Sequence, residues 1–273
     1  MQRIKPGEEG YKYSFSTLSA AFECPYMVFL QKIEDHRDEE VPNIFAEIGT
    51  LTHNLLDEWS KGEIEQSDLS MVFAERFEEE VITPAPANLE KYDYRNKQKQ
   101  LGIDFFDNFD GFKGFTVLGA EERFETELDG RKFVGCVDMI LQDNNTGALI
   151  VCDHKSKSKK AFLEAEDEMY RQQYLYSKYI YEQFGRYPDF LMFHLFKENG
   201  EKVGRRFDKD EYDRVIQWAI DTIHAIESWD YLDWQCGKAQ PDNGQPDFFC
   251  TTICSMRNIC DNGQKKYKPK GKK

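Results

Sequence analysis

Leu149-Ile150-Val151-Cys152-Asp153-His154-Lys155 starts as an apolar run and ends in three ionisable side chains. Its length suits a buried strand. Alternate side chains of a strand share a face, so Asp153 and Lys155 point one way and His154 the other. A carboxylate emerging from a buried strand is costly unless it is paired or metal-bound. Lys155 is one available partner and a divalent cation is another.

The residues upstream provide a neighbouring strand. Phe115–Leu128 and Arg131–Leu141 read as a hairpin turning at Asp129-Gly130. Asn144-Asn145-Thr146-Gly147 then turns the chain into the strand Ala148–His154. The second arm of the hairpin contains Gly135-Cys136-Val137-Asp138. If it pairs with the following strand, Asp138 reaches the same spot as Asp153. Two hard carboxylates beside one amine suit metal-assisted phosphodiester hydrolysis, with Mg²⁺ or Mn²⁺ as the ion. Lys155 would orient and help deprotonate the attacking water and stabilise charge on the phosphate. Taken alone, Asp-x-Lys also fits an exposed strand end with a structural salt bridge.

The flanking segments are helical. Ser16–Ile33, with a break expected at Pro25, is followed by Phe45–Trp59, Asp68–Val81 and Leu89–Phe109, with Thr83-Pro84-Ala85-Pro86 as a breaker. After the Asp153 strand come a helix over Ala161–Phe184, strands over Phe190–Lys197 and Lys202–Phe207, and a helix over Lys209–Trp229. Asp230–Phe249 reads mostly as loop. This order predicts an α/β core, a central mixed sheet flanked by helices, with an N-terminal helical insertion. A single domain over residues 1–264 is expected: 16–110 mostly helical, 115–230 the α/β core and 231–264 a cysteine segment. A basic tail, 265–273, follows.

Two further pieces fit the carboxylate site. His53, in Gly49-Thr50-Leu51-Thr52-His53, offers an imidazole nitrogen that favours Mn²⁺ over Mg²⁺. Gln172 and Tyr176 are one helical turn apart and share a face that can hold a water or contact a phosphate. Lys157, Lys159 and Lys160 follow the strand and form a candidate DNA-backbone contact, with a solvated lysine loop as the plainer reading. Arg171 is a weaker candidate for the same role, and Glu122 and Glu125 are candidates for an added carboxylate.

Cys250, Cys254 and Cys260 form a C-x₃-C-x₅-C cluster. Three closely spaced cysteines point to metal, and a fourth soft ligand would complete a tetrahedral zinc or a [4Fe–4S] site. Cys236 and Cys24 both qualify. Cys136 and Cys152 sit within strands and read as buried core thiols.

Taken in order, Gly49…His53, Gly135…Asp138, Asp153…Lys155 and Gln172…Tyr176 resemble the RecB/AddB-like branch of the PD-(D/E)XK nucleases, which includes the CRISPR-associated RecB-like exonucleases. The resemblance runs from about Ser14 to Cys260. It implies metal ligation by His53, Asp138, Asp153 and the His154 carbonyl, a catalytic Lys155, and assistance from Gln172 and Tyr176. It also selects Cys24, in the Cys24-Pro25 pair, as the partner of Cys250, Cys254 and Cys260 in an iron–sulfur cluster that staples the two ends. The first gap of the trio is three residues here, where the resemblance leads one to expect two.

The net charge is −14, and the six lysines of 265–273 leave the remainder at −20. DNA, whether single-stranded or as duplex ends, would then need a local basic channel, and a basic protein partner would suit the rest of the surface. A non-catalytic DNA-binding or adaptor subunit is the alternative that this charge favours. No Gly-x-x-x-x-Gly-Lys-[Ser/Thr] motif is present, so unwinding would need a helicase partner; an integrase is another candidate partner. The sequence has no long apolar run and no apolar region near Met1, so a cytoplasmic protein is expected.

Overall fold

The structure is a computed structural model that describes residues 3–235, 237 and 247–265. Cys236 and the lysine tail beyond Lys265 lie outside the described residues. The chain opens with a short strand β1 (Lys12–Ser14) and helices α1 (Phe15–Glu23) and α2 (Pro25–Val28). Ser14 caps α1 through its side chain. The break at Cys24 falls where Pro25 predicts it: Cys24 leaves the helical region and Pro25 opens the next helix, where its missing N–H is tolerated.

Helices α3 (Ile44–Ser60), α4 (Leu69–Glu80), α5 (Ala87–Glu90) and α6 (Tyr94–Asp107) complete the helical part. The single helix expected over Leu89–Phe109 is split, because Asp93 takes a left-handed backbone at φ 55. Strands β2 (Phe115–Leu128), β3 (Arg131–Asp143) and β4 (Leu149–Lys155) follow. Next come α7 (Lys159–Glu164), α8 (Glu166–Phe184), β5 (Phe190–Leu195), β6 (Glu201–Arg206), α9 (Lys209–Ser228) and α10 (Tyr231–Trp234). The helix expected over Ala161–Phe184 is thus two, separated at Ala165, where ψ of 20 leaves the helical well. α10 occupies part of the predicted loop, with the Asp230 carboxylate capping its first turn.

β3 organises the sheet. β2 lies antiparallel along its whole length, from Leu128↔Arg131 outward. The other edge of β3 is shared. β1 pairs in parallel with Lys132–Val134, and β4 pairs antiparallel with Met139–Gln142. Between these partners, Gly135–Asp138 faces a gap in the sheet. β5 extends β4 in parallel and β6 closes the far side.

A core lies on each face of this mixed sheet. Leu149 and Val151 pack with Tyr13, Phe133, Phe193 and the α8 and α9 side chains. Ile150 and Cys152 pack with Leu51, Leu55, Phe73 and Phe105 of the helical part. β4 is therefore buried on both faces, which explains its apolar run. Among the described residues no helix is long and apolar enough to cross a membrane.

Candidate active site

The strand alternation that buries Leu149 and Val151 against α8 carries Asp153 and Lys155 onto the same face. Continuing the register of β3 and β4 beyond Met139↔Cys152 sets Asp138 opposite Asp153. The registered pairs stop there, and the backbone N–H of His154 donates to Asp138 Oδ2 at 2.8 Å instead. The Lys155 ammonium lies 2.8 Å from Asp153 Oδ2 and donates to Gln172 Oε1 at 3.0 Å. Gln172 Nε2 donates in turn to the Tyr176 hydroxyl at 3.2 Å. Gly135 makes room for this arrangement, because a Cβ there would meet Phe124 Cζ at 2.5 Å and Tyr176 Cε1 at 2.8 Å.

α3 brings His53 to the gap. Its Nε2 lies 3.1 Å from the His154 carbonyl oxygen. Its Nδ1 lies 3.3 Å from Glu121 Oε1 and 3.6 Å from Asp138 Oδ2. His53, Glu121 and Asp138 each offer a ligand atom within 4.8 Å of the others. Burial and the neighbouring Asp153 push the Asp138 carboxyl up to about 7. Burial pulls the His53 imidazole down, but Asp138, Glu121 and Asp153 outweigh it and raise it to about 9. Burial also lowers Lys155, yet Asp153 and Asp138 outweigh it, so the ammonium stays charged.

The donor set fits a hard divalent cation. Two carboxylates in a sparsely hydrated site repel each other, which is the charge imbalance such an ion removes. Cis ligands of an octahedral ion with bonds of about 2.1 Å lie about 3.0 Å apart, close to the separation of His53 Nε2 and the His154 carbonyl oxygen.

The raised Asp138 carboxyl makes a prediction for the metal-free protein. Its folded value near 7 exceeds the ordinary 3.8, so the folded state binds more protons between those limits. Stability therefore falls as pH rises from about 4 to about 7, and the penalty is complete above that range. Asp138→Asn is expected to be more stable than wild type by on the order of 2 kcal/mol at pH 8, less than the full shift implies, because His53 loses a counter-charge. The gain should vanish near pH 4, and Mn²⁺ should no longer raise the melting temperature. Thermal melts at both pH values, with and without Mn²⁺, check this.

The lysines after β4 divide. Lys157 lines two clefts that meet at Lys155 and Gln172: one of about 500 Å³ holding His53, Asp138 and Asp153, and one of about 940 Å³ running past Phe15, Arg123 and Phe249. Lys159 pairs with Glu201 and the exposed Lys160 faces Glu164, so neither lines the clefts. Arg171 stacks on Trp218. Glu125 pairs with Lys12 and Lys132 on the open sheet surface. Glu121, not Glu122 or Glu125, is the carboxylate that reaches the site. Counting outward from the Asp129-Gly130 turn would have found it, since the Leu128↔Arg131 register sets Glu121 opposite Asp138. Cys152 is buried as expected, but Cys136 is only part-buried and its thiol donates to Glu121 Oε2 at 3.2 Å.

A second constellation lies at the chain ends. Cys24, Cys250, Cys254 and Cys260 line one narrow pocket together with Met27, Leu30, Phe249 and Met256. Burial pushes the Cys254 thiol up to about 11, and Cys24, Cys250 and Cys260 add to the shift. Hydrogen bonds from Val41 N to the Ser255 carbonyl, at 2.9 Å, and from Asn43 to the Ile253 carbonyl, at 3.2 Å, tie the loop before α3 to the same C-terminal segment.

No curated protein matches the chain. A solved structure from Eubacterium rectale, of a protein provisionally named an exonuclease, is similar over 99% of this chain and 97% of its own, at 13% identity and a TM-score of 0.43. The family comparison covers far more than half of the sequence: the PD-(D/E)XK nuclease superfamily matches residues 12–261, a span that includes the β3–β4 carboxylates, Lys155 and all four cysteines of the second pocket. The mixed sheet flanked by helices is the fold of that family, and the chain belongs to the PD-(D/E)XK nuclease superfamily.

Proposed function

We propose that this protein is a metal-dependent deoxyribonuclease of the RecB/AddB-like type that hydrolyses phosphodiester bonds at DNA ends or in single strands. Such an activity suits recombination, repair or CRISPR-type processing. The observation that carries the reading is the convergence of His53, Asp138, Asp153 and Lys155 at the gap in the β3 edge. His53, Asp138, Asp153 and the His154 carbonyl would hold Mg²⁺ or Mn²⁺. When bound, the ion would lower the pKa of a water and offset charge on the phosphate.

The chain's own groups have distinct parts. The charged Lys155 is poised to stabilise negative charge developing on the phosphate and to orient a water, rather than to remove its proton. Gln172 holds the ammonium toward the cleft, and the Tyr176 hydroxyl fixes the amide of Gln172 in turn. The larger cleft offers Arg123 and Lys157 to a DNA backbone, beside Glu23, Glu125 and Glu168 and with Lys12 already paired to Glu125.

The four clustered cysteines support a structural [4Fe–4S] cluster, with zinc as the less favoured occupant. Cleavage of single- and double-stranded DNA by anaerobically purified protein with Mn²⁺, beside Asp153→Asn, tests the nuclease. Cutting by wild type alone is expected. A cluster-loaded wild type that binds DNA without cutting it would replace this reading with the adaptor one.

A further inference from the structure

Glu121 lies within β2, opposite Asp138 in the hairpin register, yet its backbone is left-handed at φ 46. A glutamate rarely adopts that conformation, and such outliers gather at functional sites. Here it turns the carboxylate toward α3. One oxygen, Oε2, accepts from the Cys136 thiol, and the other, Oε1, faces His53 Nδ1.

His53 has two nitrogens in different surroundings. Each nitrogen faces an oxygen acceptor, carboxylates at Nδ1 and a carbonyl at Nε2, so once a cation displaces the hydrogen from one nitrogen, the carboxylate side is where the remaining hydrogen is held. Nε2 points to the His154 carbonyl oxygen, and both can turn lone pairs toward one ion. Asp138 is a poorer partner for Nδ1, because its Oδ2 is farther away and already accepts from His154 N.

We infer that Glu121 is a positioning residue: it accepts the His53 Nδ1 hydrogen, fixes the tautomer, and leaves Nε2 as the nitrogen for the divalent ion. Metal-ligating histidines commonly depend on such a carboxylate. The inference rests on the metal-dependent reading above and adds a residue to it. With both oxygens engaged by His53 and Cys136, Glu121 acts through the imidazole rather than as a ligand.

The test uses the full chain. Mn²⁺ affinity and stoichiometry are measured by calorimetry, and the His53 tautomer by long-range ¹H–¹⁵N spectra of the Mg²⁺-loaded protein. Glu121→Asn tolerates the left-handed backbone but is too short to reach Nδ1. It is expected to weaken Mn²⁺ binding about 10–100-fold at unchanged stoichiometry, with mixed His53 tautomers. Glu121→Gln keeps an acceptor and should restore the wild-type tautomer and most of the affinity. Loss of a bound Mn²⁺ in both variants would make Glu121 a ligand and overturn the proposal. An unaltered tautomer in Glu121→Asn would overturn it while leaving the nuclease reading intact, whereas a wild type that neither binds Mn²⁺ nor cuts DNA would overturn both.

Discussion

Lys155→Ala is expected to reduce Mn²⁺-dependent DNA cleavage by at least about 10²–10³-fold, the usual cost of removing one preorganised donor of charge stabilisation. The ammonium is held within reach of Asp153 and Gln172 before substrate arrives, so it needs little rearrangement to meet a phosphate. The same change should affect stability in a way that depends on metal. Asp153 is almost fully buried, and deleting the partner of a buried charge costs about 3–5 kcal/mol. Mn²⁺ supplies a new counter-charge. The variant should therefore melt well below wild type without metal and gain more from Mn²⁺ than wild type does. Lys155→Arg keeps the charge but spreads it over a planar fork, so it should recover much of the stability and little of the rate. Cleavage assays paired with melts at several Mn²⁺ concentrations check both halves. Wild-type cleavage by Lys155→Ala would remove Lys155 from the mechanism.

The parts of this site that could be read from the sequence are those set by local periodicity. The apolar run before Asp153 has the length of a buried strand, and alternation then sorted Asp153 and Lys155 from His154. Asp129-Gly130 marked the hairpin. What escaped depends on long-range placement. β1 is only three residues long, too short to show alternation, yet it shares an edge with β4 and so creates the gap at Gly135–Asp138. Glu121 escaped because its neighbour Glu122 is an equally plausible carboxylate until the register is counted. Lys157, Lys159 and Lys160 look alike in sequence. Their roles separate only once Glu201 and Glu164 are seen to engage two of them. The left-handed Asp93 that divides the fourth predicted helix carries no glycine or proline signal.

Cys24→Ser is expected to release the proposed iron–sulfur cluster and to loosen the chain ends without dissolving the nuclease core. Cys24 ends α1, while Cys250, Cys254 and Cys260 come from the last described segment, so a cluster would close a loop of more than two hundred residues. Closing a loop of that order is worth about 5 kcal/mol in chain entropy, an upper figure because native contacts already hold the ends. Arg257 donates to the Val41 carbonyl at 3.1 Å and the Pro42 carbonyl at 2.6 Å, and these bonds need no metal. The variant should thus lose iron and acid-labile sulfide and exchange amide hydrogens faster around 24–43 and 247–265. The β3–β4 amides, buried between two cores, should remain protected. Cleavage should weaken by less than for Lys155→Ala, because a cluster in this pocket would reach the larger cleft only through Met27 and Phe249, which line both, and would touch no reacting atom. Metal analysis decides the occupant: iron with sulfide supports the cluster, and one zinc per chain would exchange it for a tetrahedral site. Retention of iron in Cys24→Ser together with its loss in Cys236→Ala would show that the fourth ligand comes from the C-terminal side, and the cluster would then bind its own segment rather than join the two ends.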